Sequence, residues 1–126
     1  MAEDAESRIR QDLIAEIANL EQTYRLIKRN LAAVNYDPAA VGASIKDFKD
    51  SLSRASAYTL AFYNLHGQIV KIPWEQLFTT LDYALATVTV SPPQKQKTAV
   101  QTVISMAQSD FEQVLTYFAA LKESLK

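Results

Sequence analysis

Residues 100–125, VQTVISMAQSDFEQVLTYFAALKESL, decide the fold. Val100, Ile104, Ala107, Phe111, Val114, Phe118, Leu121 and Leu125 recur at steps of 4, 3, 4, 3, 4, 3 and 4. Steps of this kind keep one apolar stripe facing a partner helix at roughly 3.6 residues per turn. The residues between the stripe positions are largely polar. Pro92 and Pro93 stand just before the stretch, and residues preceding a proline avoid the α region. Ser91 and Gln94 have capping-box spacing, with Pro92 at the first helical position. A single helix is expected from residue 91 to the end.

A second seam lies at the other end of the chain. Leu13, Ile17, Leu20, Tyr24, Ile27, Leu31 and Val34 are spaced 4, 3, 4, 3, 4 and 3 apart. This predicts a helix over residues 4–34. Glu21 and Arg25 form an i,i+4 pair in the favoured order. Asp37-Pro38 then has the chemistry of a helix start, with Asp as cap and Pro at the first position. Gly42 would weaken a helix running through it by about 1 kcal/mol relative to Ala. Ser44 and Asp47 offer a second start. The reading is therefore a short turn near Asp37 and a main helix from Ser44.

That helix has the stripe Ile45, Phe48, Leu52, Ala55, Thr59, Phe62 and His66. Its first half keeps a polar face of Lys46, Asp47, Lys49, Asp50 and Ser53. Its second half is apolar nearly all round, which calls for enclosure by neighbours or by another chain. Gly67 suits a left-handed helix end. Residues 68–72 are expected to pack across the end of the molecule, because Ile69, Val70 and Ile72 are apolar. Pro73 should open a third, shorter helix carrying Trp74, Leu77, Phe78, Leu81, Leu85 and Val88. Residues 87–90 are β-branched and should fray.

These elements make one all-α domain over residues 1–126, an elongated antiparallel four-helix bundle with up-down-up-down order and a shorter third helix. Helices near thirty residues span about 45 Å, whereas a compact domain of this length has a radius of gyration of about 14 Å. Only 2 Gly and 4 Pro in 126 residues mean few turns and long elements. Hydrophobic residues at 48% and charged residues at 21% suit a globular chain.

Composition also narrows the chemistry. The net charge of −1 implies no bulk attraction to nucleic acid or anionic lipid. With no Cys there are no disulfides, thiolate metal sites or cysteine nucleophiles. The one His, His66, has Tyr63 rather than an acid three residues before it, so the Glu-x-x-His pattern of di-iron bundles is missing. His66 stands next to Gly67 at a helix end, which also argues against phosphorelay use. Two glycines cannot build a nucleophile elbow or a phosphate-binding loop. The acids fall between the stripes, where charge is solvated. No enzyme activity, cofactor or metal is expected. The first residues, MAEDAESRIRQD, are acidic and polar, so no cleavable signal peptide is expected. No apolar run of 18 residues occurs, and a cytoplasmic location or a place within a soluble assembly follows as the expectation.

What remains is association. Leu26, Leu60, Tyr63, Tyr83 and Tyr117 lie off the stripes, and tyrosines are common at interfaces. Leu60, Tyr63, Tyr83 and Tyr117 are the candidate partner-binding residues. The expected function is a non-catalytic protein–protein interaction or assembly module that binds other chains, including copies of itself. It would be a small structural or adaptor component of a larger complex. A virion or secretion-type particle would suit such a component, although no motif names one. One alternative is a small-molecule or regulatory module with a ligand near Phe62, Tyr63, Trp74 and Tyr83. Another is a nucleic-acid accessory factor using Arg25, Lys28 and Arg29.

Overall fold

A computed structural model describes residues 2–71, 74–90 and 93–126. Among these residues the chain forms five helices and no strand: α1 Ala2–Ala32, α2 Pro38–Leu65, α3 Glu75–Val90, α4 Pro93–Met106 and α5 Gln108–Leu125. The all-α class read from the sequence is the class observed, and α3, at 16 residues, is much shorter than α1 and α2.

The seams are buried as their spacing requires. All eight stripe residues from Val100 to Leu125 lie in the core, and so do Leu13, Ile17, Leu20, Ile27 and Leu31 of α1. At the centre, the Tyr24 ring stacks on Phe111 with centroids 5.0 Å apart, and Phe48 meets Phe111 edge-on at 5.1 Å. Three helices are joined at that point. Val34 is a correction to the α1 seam. The helix ends at Ala32, so Val34 falls in the connection and is 96% exposed. The expected Glu21–Arg25 pair does not form, and an i,i+4 pair is made earlier on α1, where Arg10 Nη2 donates to Glu6 Oε1 at 3.0 Å.

The α2 start differs from the expectation. Asp37 is the cap, accepting the Ala39 N–H at 3.0 Å, and the helix runs without interruption from Pro38 through Gly42. The propensity cost of Gly42 is a local quantity, and tertiary contact overrides it. A Cβ placed on Gly42 would lie 3.4 Å from Val88 Cγ1, so α2 and α3 approach closely here. That distance is ordinary van der Waals contact. Gly42→Ala is therefore expected to stabilise the fold by about 0.5–1 kcal/mol through helix propensity, read as a raised urea midpoint. A lowered midpoint would mean that the α2–α3 approach has no room for one methyl group.

The far end of α2 terminates as its sequence suggests. Gly67 has φ +70°. The Gly67 N–H donates to Asn64 O at 3.0 Å and the Gln68 N–H to Tyr63 O at 2.9 Å. This pair of bonds is the Schellman arrangement, in which a left-handed residue lets two amides turn back onto the last carbonyls. The connector beyond it packs only in part, with Val70 half-buried beside Leu60 and Asn64. Ile69 is 100% exposed. The expected roles of Ile72, Pro73, Ser91 and Pro92 lie outside the described residues.

Two further corrections concern the second half of the chain. Residues 87–90 do not fray. The helix is kept to Val90, and the Thr87 and Thr89 hydroxyls donate to the carbonyls of Tyr83 and Leu85 at 2.9 and 3.0 Å. The expected fourth helix is two helices, α4 and α5, meeting at Ala107. The Ala107 N–H is shared between Val103 O at 3.3 Å and Ile104 O at 3.1 Å, a local tightening toward 3₁₀ geometry. Ala is the best helix former, so the break is not a matter of local propensity. It falls where the packing partner changes, since α4 lies chiefly on α3 and α5 on α1.

Cross-helix bonds give the pairing directions. Ser51 Oγ donates to Glu16 Oε2 at 3.0 Å, and Asn30 Nδ2 to Ala40 O at 3.3 Å, so α2 runs opposite to α1. Gln101 Nε2 donates to Leu31 O at 2.8 Å near one end, and Arg10 Nη1 to Leu125 O at 3.2 Å near the other. These bonds set α4 and α5 against the direction of α1. Gln96 fastens the same end. Its Oε1 accepts the Tyr36 hydroxyl at 2.9 Å and its Nε2 donates to Val88 O.

Candidate functional site

The polar groups inside the fold act structurally. Glu16 does not sit in open solvent as an acid between stripes should. Its side chain is 11% exposed, and it accepts from Ser51, Asn19 and Arg54. Thr59, fully buried, returns its hydroxyl to Ala55 O at 2.7 Å. No buried side-chain nitrogen or oxygen among the described residues lacks a hydrogen-bond partner. No group of three or more His, Asp or Glu among the described residues is placed to hold a metal ion.

His66 ends α2 and is exposed, so it leaves the buried seam to which its spacing assigned it. Its Nε2 lies 3.0 Å from Glu6 Oε1, and its ring is 4.8 Å from that of Phe62. The hydrogen bond from Arg10 holds the Glu6 carboxyl below its ordinary value of 4.5, with His66 adding to that lowering. Arg10 also lies over the Phe62 ring at 5.6 Å. The group closes the α1–α2 end.

The four candidate interface residues do not form one patch. Tyr63 and Tyr117 are half-buried at the end where α2 finishes. Tyr63 meets the Phe62 ring edge-on at 5.5 Å, and Tyr117 meets Trp74 at 5.2 Å and Phe118 at 5.3 Å. Burial pushes the Tyr117 phenol above its ordinary value, and Tyr63 adds to the rise. Leu60 is exposed on α2 beside a shallow depression of about 300 Å³ that includes Ile69. Tyr83 stands apart on α3, 64% exposed.

Tyr83 belongs instead to a groove between α3 and the α4–α5 arm. One part, about 330 Å³, is lined by Tyr83, Thr80, Gln76, Met106 and Asp110. A smaller part, about 180 Å³, continues from Gln76 and Asp110 to Trp74 and Tyr117. Met106 on its rim is 81% exposed, although it is a large apolar residue. Sequence reading passed over Met106, which lies off the seam between Ile104 and Ala107. Its off-stripe position was the available signal. The helix break at Ala107 beside it was not legible.

Trp74 is mainly structural in this arrangement. It is 5% exposed, and its Nε1–H donates to Ser56 Oγ at 2.9 Å. The basic residues Arg25, Lys28 and Arg29 are exposed on α1, with Lys28 Nζ 5.3 Å from the Tyr24 ring centroid. Lys97 donates to Ala33 O at 3.3 Å. No helix among the described residues is long and apolar enough to cross a membrane. Comparison of the chain with protein-family models, with curated proteins and with solved structures found no match.

Proposed function

We propose that this chain is a non-catalytic helical module that works by binding other protein chains, copies of itself among them. The observation that carries the reading is the exposed apolar surface. Tyr83 and Met106 flank the α3/α4–α5 groove, and Leu60, Leu65 and Ile69 stand out around the end of α2. Single exposed apolar residues are ordinary, but grouped ones mark contact sites. The scaffold reading that goes with it is an elongated antiparallel four-helix bundle, with α4 and α5 acting as one bent arm. The accessible surface of 7728 Å² supports elongation, since a compact monomer of 14.1 kDa exposes about 6,700 Å².

The small-molecule alternative is less well supported. The part of the groove beside Tyr83, about 330 Å³, reaches the roughly 300–1,000 Å³ of ordinary ligand pockets, but Phe62 and Tyr63 line neither it nor the part of about 180 Å³ beside Trp74. The Trp74 Nε1–H is already engaged by Ser56. For nucleic acid, the exposed cations Arg25, Lys28 and Arg29 cover one end of one helix, a small footprint for a phosphate backbone.

Light scattering behind a sizing column, across a dilution series, tests the reading. A mass above 14.1 kDa that falls on dilution is the expected result. A strict monomer that also captures no protein partner would remove the proposal.

A further inference from the structure

The groove between α3 and the α4–α5 arm has a charge pattern that specifies its occupant. No Lys or Arg occurs between Lys71 and Lys95, and none between Lys97 and Lys122. Both walls, from Trp74 to Val90 and from Thr98 to Leu121, therefore lack a basic side chain. Asp110 lies in both parts of the groove, at their junction. The groove is otherwise apolar and neutral, with Tyr83 and Met106 on its rim and Gln76 and Thr80 along its side. From Trp74 to Tyr83 it runs about 14 Å at 1.5 Å per residue. That is the reach of two to three helical turns.

We infer that this groove receives a basic amphipathic helix from a partner protein. The apolar face of that helix would lie between Tyr83 and Met106, and a Lys or Arg on its edge would meet Asp110. The inference rests on the interaction-module reading above and names the partner's chemistry. Helix-in-groove docking uses anchors one turn apart, and methionine at the rim adapts to them because its side chain is unbranched and polarizable. A neutral or acidic helix would cover Asp110 with only the partial charge of the α5 N-terminus to balance it, which costs affinity. The wall thus selects by charge as well as by shape.

The test uses an 18-residue labelled peptide of Leu and Lys in amphipathic helical order, with a Leu–Glu peptide of the same pattern as control. Fluorescence anisotropy on the full chain should show binding of the Leu–Lys peptide and not of the Leu–Glu peptide. Met106→Lys and Asp110→Lys should each weaken binding about tenfold or more, the first by removing the apolar anchor and adding like charge. Met106 is a surface position, so M106K should keep the parental unfolding midpoint and serve as the check on folding. Asp47→Lys, an exposed acid on α2, makes the same charge change away from the groove and should leave binding intact. Equal loss with D47K, or no binding of the Leu–Lys peptide, would overturn the assignment. An oligomer that M106K dissociates would overturn it too, because a second copy would then hold the groove. In that last case, and where the peptide fails while the chain still self-associates, the module reading survives and only the occupant is wrong.

Discussion

Phe111→Ala should lower folding stability by about 3–5 kcal/mol, the range for removing a fully buried aromatic ring. Phe111 is fully buried and sits one turn past the α4–α5 junction. Its ring contacts Tyr24 of α1 and Phe48 of α2, so the cavity left by alanine would open between three helices at once. Such a site cannot collapse by moving one element. Domains of this kind have about 5–15 kcal/mol in total, so the variant should lose a large share and melt well below the parent. Urea denaturation followed by far-ultraviolet circular dichroism measures the loss. A cost under about 1 kcal/mol would mean that the ring is not packed where α1, α2 and α5 meet. The α5 register would then be wrong. A double-mutant cycle with Tyr24→Leu should show a coupling of about 0.5–1.5 kcal/mol beyond area burial, as for other stacked aromatic pairs.

The register of α5 was legible because heptad spacing is a property of the residues alone. Val100 to Leu125 read as one seam, and all eight positions are buried. The Gly67 helix end was legible for a similar reason, since only glycine takes a positive φ without cost. The failures have other causes. The break at Ala107 falls where the packing partner changes and has no local signal, whereas the start of α2 had one in Asp37-Pro38 that the Gly42 propensity cost outweighed in the reading. Val34 continued the numerical pattern beyond the end of its helix, where periodicity no longer means a face. Glu16 looked like solvated charge, yet Ser51 and Arg54 arrive from another helix to enclose it.

The candidate site was legible only in part, and the missing part is geometric. Tyr83 was singled out and is exposed in the groove. Tyr63 and Tyr117 were singled out for the same reason, but they are half-buried against Phe62, Trp74 and Phe118. Tyr117 and Tyr83 both lie in mid-helix, so position along the helix does not separate them; Tyr117 is covered because Trp74 packs beside it. Met106 completes the groove as the last residue of α4, at the break between the two helices of the arm. Surface grouping therefore depended on the same packing that the helical pattern leaves unspecified.

Trp74→Ala should cost about 3–5 kcal/mol, and its neighbours show why the loss is more than surface area. Trp74 precedes α3, and its carbonyl accepts the N–H groups of Leu77 at 3.1 Å and Phe78 at 3.4 Å. Its ring lies 5.2 Å from Tyr117 and 5.0 Å from Phe118, and its Nε1–H donates to Ser56 Oγ on α2. One side chain thus ties the start of α3 to α2 and α5. Trp74→Phe retains an aromatic ring but removes the donor. It should cost only about 1–2 kcal/mol, because the Ser56 hydroxyl still donates to Leu52 O at 2.7 Å. Ser56→Ala should cost about 1–3 kcal/mol by leaving the buried indole N–H unpaired. The expected order by urea denaturation is W74A well above S56A and W74F. Equal small losses for all three would mean that the ring does not close this end of the fold. Trp74 also bounds the narrow part of the groove. W74F should therefore keep affinity for a basic helix, whereas W74A should lose it together with the position of α3. Loss of binding in W74F at nearly parental stability would assign the indole to the partner instead of to the scaffold.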